Sequence, residues 1–312
     1  MRILFTGASS FTGAWFVRHL AERGHEVVAA LRRDRDAYEG LRAERVSLVG
    51  ECAETRFGIS FGDDAFLELV AGEPFDVLCH HAAEAADYRS PDFDVAAALA
   101  SNTRRAADVL RALARRRGCF VLTGTVFEAG EGAGEHPLRA FNPYGLSKSL
   151  TAAAFAFYAH REGVRLGKFV IPNPFGPFEE PRFTSHLVRT WASGEVARVA
   201  TPVYVRDNIH VSLLSRAYGA FVEQVRAGSA TRLAPSGYAE SQGAFARRFA
   251  AELGPRLGLE CPLELAEQTE FPEPRTRVNL DRVEGLAAGW DEREAWDELA
   301  RYYARSLTAA GR

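Results

Sequence analysis

The sequence predicts an α/β fold, a Rossmann-like doubly wound parallel sheet with a smaller substrate-binding lobe. Three observations predict it. The chain opens on a short apolar run, Arg2-Ile3-Leu4-Phe5, that passes directly into the glycine-containing turn Thr6-Gly7-Ala8-Ser9-Ser10-Phe11-Thr12-Gly13. Strand-like apolar runs then alternate with helical stretches as far as Ile171, the order of parallel strands joined by crossover helices. Beyond Lys168 the texture changes, and Pro172, Pro174, Pro177 and Pro181 mark a loop-rich crossing into a second lobe. The expected division is residues 1–172 plus about 205–230 for the dinucleotide-binding domain, and about 173–204 plus 231–312 for the smaller lobe.

The first strand, turn and helix carry the first functional expectation. Gly7 permits a sharp turn, Gly13 lets the following helix pack close to the sheet, and the helix N-terminus offers free amides and positive dipole to a pyrophosphate. Ser9, Ser10, Phe11 and Thr12 fill the turn, and Ser10 occupies the middle position of the usual three-glycine pattern. His25 to Leu31 reads as the second strand. It ends on Leu31 where an acid would hold ribose hydroxyls, and Arg32 and Arg33 follow. Guanidinium groups suit a 2′-phosphate, so the cofactor expected is NADP, with NAD the alternative.

Phe75 to His80 reads as another strand. A metal site at His80-His81 is disfavoured because neighbouring residues of a strand face opposite ways. Asp94 to Arg117 reads as a helix containing Asn102. Phe120 to Phe127 is strand-like and carries Thr123 and Thr125. Residues 128–136 read as a flexible loop, a candidate rim over the substrate. Pro143 suits the first turn of the next helix. On that helix Tyr144 and Lys148 lie four residues apart, on one face. A cation there would lower the phenol's pKa and let it exchange a proton with an alcohol or ketone. Only two lysines occur, Lys148 and Lys168, which marks the first as a deliberate ammonium. Further on, 183–193, 211–226, 240–253 and 291–307 read as helices and 196–205 as extended chain.

Composition narrows the class. Hydrophobic residues make up 47% and charged residues 25%, ordinary for a globular chain, and a net charge of −3 offers no electrostatic case for nucleic acid or membrane. No apolar run is long enough to span a bilayer. The start goes straight into a core strand, leaving no room for a signal peptide. Four scattered cysteines without a paired motif suit a reducing compartment, so a cytoplasmic protein is expected.

These motifs together resemble the extended short-chain dehydrogenase/reductase family of the nucleotide-sugar epimerase and reductase type. The resemblance rests on T-G-x-x-S-x-x-G at Thr6–Gly13, on Tyr144 and Lys148 as Y-x-x-x-K, and on Phe120 to Phe127 as the strand with a catalytic Ser or Thr. It also rests on Asn173-Pro174-Phe175-Gly176-Pro177 and on Arg206-Asp207-Asn208-Ile209-His210-Val211. It implies Thr123 as the hydroxyl that orients the substrate oxygen (Thr125 the fallback), Tyr144 as proton donor, and Lys148 as holder of the nicotinamide ribose. It implies His81 and Ala82 beneath the cofactor, Asn102 as a brace and Asp63, or Asp64, at the adenine. Asn173, Arg206 and Arg275 would lie against the substrate, with Arg206 on the diphosphate of a nucleotide-diphosphate sugar. Helices 94–117 and 143–162 build the dimer in such relatives, so a homodimer is expected.

Gly124 and Thr125 stand where dehydratases of the family carry acids, which argues against dehydration and leaves 4-keto-sugar reduction or 4-epimerisation. Two rivals stay open: a non-catalytic dinucleotide-binding regulator, and a reductase of an apolar ketone on the same fold.

Overall fold

A computed structural model describes residues 1–283 and 285–310; positions 284, 311 and 312 of the second lobe's expected range lie outside the described residues. The elements run β1 (Arg2–Thr6), α1 (Phe11–Glu22), β2 (Glu26–Leu31), α2 (Gly40–Gly50), β3 (Glu54–Phe57), α3 (Asp64–Gly72), β4 (Val77–His80), α4 (Val95–Asn102), α5 (Ala106–Arg115) and β5 (Cys119–Thr125). They continue with β6 (Ala133–Gly134), α6 (Pro143–Glu162), β7 (Leu166–Ile171), β8 (Asn173–Phe175), α7 (Phe183–Ala192), β9 (Ala197–Val199), β10 (Val205–His210) and α8 (Val211–Ala227). The last are β11 (Arg232–Leu233), β12 (Tyr238–Ser241), α9 (Gln242–Leu257), β13 (Leu263–Leu265), β14 (Thr276–Val278) and α10 (Glu292–Ala310).

The large sheet has seven strands in the order β11-β7-β5-β4-β1-β2-β3, all parallel. Strands buried on both faces must be apolar throughout, which is why Ile3, Leu4 and Phe5 are all fully buried. One face packs Phe16, Tyr218 and Phe221 of α1 and α8 against Ile3, Phe5, Val121 and Phe169. The other packs Phe66, Leu110 and Phe155 of α3, α5 and α6 against Leu4, Leu78, Phe120 and Leu122. Strand order reverses between β1 and β4, and a ligand crevice opens at such a switch point, outside the carboxyl ends of the strands.

The smaller lobe forms the sheet β12-β10-β14-β6, with β8 beside β10, and a separate β9-β13 pair. Its core is aromatic, with Phe175, Trp191, Phe245, Phe249 and Trp296 buried together. Two expected boundaries move. Strand 205–210 belongs to the smaller lobe's sheet, while 232–233 forms the edge of the large one. The expected helix 94–117 is two helices: Arg105 adopts φ 49°, a left-handed conformation that ends one and starts the next. The expected flexible loop 128–136 is pinned instead. Glu128 and Glu131 are buried against Lys168, and Ala133–Gly134 pairs with β14.

Candidate active site

A cleft of about 580 Å³ lies at the carboxyl ends of β1, β2, β4 and β5. Its floor is the glycine turn. Gly7 adopts φ 83°, and a Cβ there would lie 2.7 Å from the Ala82 amide nitrogen, so the turn and the end of β4 touch backbone to backbone. A Cβ on Gly13 would meet the Gly7 carbonyl oxygen at 2.2 Å, which explains the second glycine. Ser10 caps α1: its oxygen accepts from the Gly13 amide at 3.1 Å and its hydroxyl donates to the Gly7 carbonyl at 2.8 Å. Gly7, Ser9, Ser10, Phe11 and Thr12 line the cleft, as do His81 and Ala82.

The end of β2 contributes positive charge. Arg32 and Arg33 line the cleft, and so do Arg42 from α2 and Arg104 from the α4–α5 turn. Neither Arg42 nor Arg104 lies in a motif, so nothing in the sequence pointed to them. The nearest carboxylate is Glu84, 3.7 Å from Arg32 and itself part of the lining.

Tyr144 and Lys148 come from α6, which starts where Asn142 accepts the Gly145 amide at 2.9 Å and Pro143 fills the first turn. Both side chains line the cleft, with Thr123 and Thr125 of β5. The Lys148 ammonium is buried and donates to the Thr123 carbonyl oxygen at 2.7 Å. Burial lowers its pKa, an effect that Glu128 opposes. The expected cation-depressed phenol is corrected here. Burial holds the Tyr144 phenol above its ordinary value, and the Glu128 carboxylate and Tyr88 push the same way; only Arg182 opposes them. Tyr88 and Phe93 pack edge-on against the half-buried Tyr144 ring, with centroids 5.6 and 5.9 Å away, and contribute to its desolvation.

His80, the last residue of β4, and His81 after it diverge, as successive residues along an extended chain do. His80 meets Thr6 Oγ1 at 2.9 Å and the Asn102 carbonyl at 3.3 Å. His81 meets Thr123 Oγ1 at 3.0 Å through Nδ1, and Ser10 Oγ at 3.0 Å and Thr12 Oγ1 at 3.1 Å through Nε2. Burial, and then the nearby Lys148 charge, lowers both imidazoles to about 3, so each is neutral at neutral pH. No group of three or more His, Cys, Asp or Glu able to hold a metal occurs among the described residues.

The other expected residues divide. Asn102 is buried and braces the site, its Oδ1 accepting the Glu84 amide at 2.7 Å and its Nδ2 facing Thr151 at 3.4 Å. Asn173 lines the cleft from β8. Asp63 does not: one carboxylate oxygen caps α3 through the Phe66 amide at 2.7 Å, and the other accepts the Ser60 amide at 2.7 Å. Asp64 pairs with Arg105 at 2.6 Å, away from the cleft. Arg206 is buried outside the cleft lining. Its guanidinium donates to the carbonyls of Val205, Pro274 and Arg275 and pairs with Glu273 at 2.9 Å. Arg275 is exposed and stacks on Phe271. The guanidinium that does face the cleft near Tyr144 is Arg182, beside Glu180 and over the Tyr88 ring at 5.8 Å. A carboxylate does stand behind Gly124, but it is Glu128. A Cβ on Gly124 would meet Glu128 Oε1 at 2.7 Å, and Glu128 is tied to Lys168 at 2.5 Å rather than open to the cleft.

Comparison with known proteins agrees with this architecture. No curated protein matches the chain. Among solved structures, UDP-glucose 4-epimerase from Thermotoga maritima with UDP-glucose has TM-score 0.72 at 19% identity, covering 98% of this chain and 100% of that one. UDP-glucuronic acid 4-epimerase from Bacillus cereus with UDP-glucuronic acid and NAD has TM-score 0.75 at 15% identity, covering 98% and 100%. The dTDP-glucose 4,6-dehydratase DesIV from Streptomyces venezuelae, with NAD bound, has TM-score 0.71 at 18% identity, covering 99% and 98%. At these identities the likeness is one of fold. The family model of the NAD dependent epimerase/dehydratase family matches residues 3–233, which span the glycine turn, Thr123, Tyr144 and Lys148. This chain therefore belongs to the NAD dependent epimerase/dehydratase family.

Proposed function

We propose that the protein is an oxidoreductase of nucleotide-diphosphate sugars that transfers a hydride between a nicotinamide and a sugar carbon, as a 4-keto-sugar reductase or a 4-epimerase. The observation that carries this reading is the convergence of Thr123, Tyr144 and Lys148 on the cleft whose floor is the glycine turn. Bound, the cofactor would supply or accept the hydride. The turn's backbone amides and the α1 N-terminus would take its pyrophosphate, and the ammonium of Lys148 would face its ribose. Tyr144, whose phenol pKa is raised rather than lowered, is neutral and in the state to donate a proton to a ketone oxygen. Thr123 would hold that oxygen in place. The structural neighbours' own ligands, UDP-glucose and UDP-glucuronic acid, support a nucleotide sugar as substrate class.

Arg32, Arg33, Arg42 and Arg104 around the end of β2, with Leu31 in place of an acid, support NADP as the cofactor, although the structural neighbours described with a bound dinucleotide carry NAD. Asn173 and Arg182 support binding of the sugar nucleotide, whereas Arg206 would serve only after Glu273 was displaced. The acids lining the cleft are Glu84 and Glu180, and neither follows Thr123 on β5, which favours oxidoreduction over dehydration. A charged cleft of this kind also disfavours an apolar ketone, and an intact Tyr144 and Lys148 disfavour a purely regulatory role. The exposed apolar residues of α6 support a homodimer.

The test is turnover with UDP-glucose, UDP-glucuronic acid and their 4-keto forms in the presence of NAD(H) or NADP(H), for the wild type and Tyr144→Phe. Turnover by the wild type is expected, with a loss of about a hundredfold or more in kcat for the variant, the usual scale of a proton-transfer group. Full activity of the variant would remove Tyr144 from the chemistry.

A further inference from the structure

We propose that Arg45, buried on α2 outside the cleft lining, draws the Glu180 carboxylate to itself and so leaves the Arg182 guanidinium free to receive an anionic group of the substrate near Tyr144. The inference rests on the proposed nucleotide-sugar reading for the identity of that substrate. The distribution of charge among the three side chains stands without it.

Glu180 stands between two guanidiniums. Its Oε1 accepts from Arg45 Nη1 at 2.6 Å, whereas its Oε2 lies 3.9 Å from Arg182 Nη2, too far for a hydrogen bond. The Arg45 side chain is 1% exposed and the Arg182 side chain 36%, so water screens the longer pair far more than the shorter one. Distance and screening both assign the carboxylate to Arg45. Burial opposes ionisation of Glu180, yet Arg45, by charge and by hydrogen bond, and Arg182 to a smaller degree hold its carboxyl below the ordinary value. Among the described residues Glu180 is the only carboxylate paired with Arg182, and it is paired at that long distance. Arg182 thus keeps most of its positive charge where it lines the cleft, over the Tyr88 ring that packs on Tyr144.

The segment that carries Glu180 also aims Arg45 at it. Arg45 Nε donates to the Phe178 carbonyl at 2.9 Å, and Nη2 donates to the same oxygen, which leaves Nη1 for Glu180. Phe178 adopts φ 67°, a left-handed conformation unusual for a bulky residue, and its ring lies against Tyr302 with centroids 5.0 Å apart. Trp15 Nε1 donates to the Pro177 carbonyl at 3.0 Å. The segment is therefore anchored at several points besides Glu180, and what the charge of Arg45 adds is a partner for the carboxylate. Without that charge the Glu180 carboxylate turns to the guanidinium 3.9 Å away and neutralises it. Arg45 is a positioning residue: it acts on the substrate only through Glu180 and Arg182.

Arg45→Gln tests this, because glutamine keeps a donor for the Phe178 carbonyl and loses the charge, whereas Arg45→Lys keeps the charge. The double variant Arg45→Gln with Glu180→Gln removes the carboxylate that would fall on Arg182. Phenylglyoxal labelling of Arg182 in the full chain, read by peptide mass spectrometry, needs no substrate. It should slow several-fold in Arg45→Gln and stay near the wild-type rate in Arg45→Lys and in the double variant. Calorimetric titration with UDP-glucuronic acid in the presence of NAD should show the same order. Affinity should fall about ten- to a hundredfold in Arg45→Gln, the scale of one charge-assisted bond, with most of the loss recovered in the double variant. A folding defect would not be repaired by that second substitution. Labelling as fast in Arg45→Gln as in the wild type, or a double variant that labels and binds no better than Arg45→Gln, overturns the proposal. Labelling in the expected order with affinity unmoved overturns the anion-receiving role of Arg182. Labelling in that order with no binding even by the wild type overturns the nucleotide-sugar reading and upholds the charge assignment.

Discussion

At the scale of single residues, burial decides protonation more than neighbouring charge does. Tyr144 is an instance, since a lysine one helical turn away is expected to acidify it, yet the Lys148 ammonium is committed to the Thr123 carbonyl at 2.7 Å while Tyr88 and Phe93 pack edge-on against the half-buried tyrosine ring. The same physics acts on the histidines. His80 and His210 are each only 2% exposed, and burial lowers both imidazoles to about 3. A folded-state pKa below the unfolded value of about 6.5 means stability that is fully present above pH 6.5 and is lost as pH falls towards 3. Each such group costs roughly 1.4 kcal/mol per pH unit within that window. Chemical denaturation at pH 7 and pH 5 should therefore show a clear drop in unfolding free energy at the lower pH. A stability that stayed level across that interval would mean that these histidines are charged in the fold.

At the scale of elements, the strand-to-turn-to-helix opening was legible because it is local: Gly7, Gly13 and the alternation of apolar runs each answer to a backbone requirement within a few residues. The long-range pairings were not. Nothing near Lys168 in sequence shows that β7 carries it to Glu128 and Glu131 in the turn after β5, and a segment rich in glycine and glutamate reads as loose loop. Those pairings make a prediction. Glu128 is 1% exposed and Lys168 holds it, so Lys168→Met would leave a buried carboxylate without its cation. Breaking a buried pair from one side costs about 3–5 kcal/mol, discounted here because Arg232 still holds Glu131 at 2.6 Å. A fall of about 2–4 kcal/mol in a urea titration is the expected result, and a change below about 0.5 kcal/mol would mean that the cluster behaves as surface charge. The end of β2 shows the same division. Arg32 and Arg33 could be found by position, whereas Arg42 and Arg104 arrive from α2 and the α4–α5 turn. Replacing Arg32 and Arg33 together by alanine should weaken NADPH binding by about ten- to a hundredfold and NADH binding much less, since charge-assisted bonds to a phosphate are worth roughly 1.5–3 kcal/mol each. Fluorescence titration with the two cofactors measures the difference, and equal losses for both would place the 2′-phosphate elsewhere.

At the scale of the whole molecule, what the motifs could not show is which surfaces stay uncovered once the two lobes are packed. Helix α6 buries Phe155 and Ala159 against the large sheet, yet it turns Leu146, Leu150 and Phe157 outwards, at 44%, 41% and 62% exposure. Among the described residues, three of the six exposed large hydrophobic side chains therefore lie on one helix, the helix that also carries Tyr144 and Lys148. Scattered apolar residues on a surface need no explanation, whereas side chains aligned along one helix face are the kind of surface that a partner covers. Beside it α4 exposes Ala96, Ala97 and Ala100, small residues that permit close approach of another helix. Two copies of this face pressed together around a two-fold axis would bury each stripe against its mate, the self-complementary geometry of most homodimers. Charge placed in such an interface is desolvated without a partner, so Leu150→Glu with Phe157→Glu should convert a dimer into a monomer while leaving the far-ultraviolet circular dichroism unchanged. Sedimentation equilibrium at micromolar concentration distinguishes the two. A wild-type protein that sediments as a monomer there would reduce the stripe to exposed surface, whereas a dimer that also loses turnover on dissociation would tie the α6 face to the catalytic groups on the same helix.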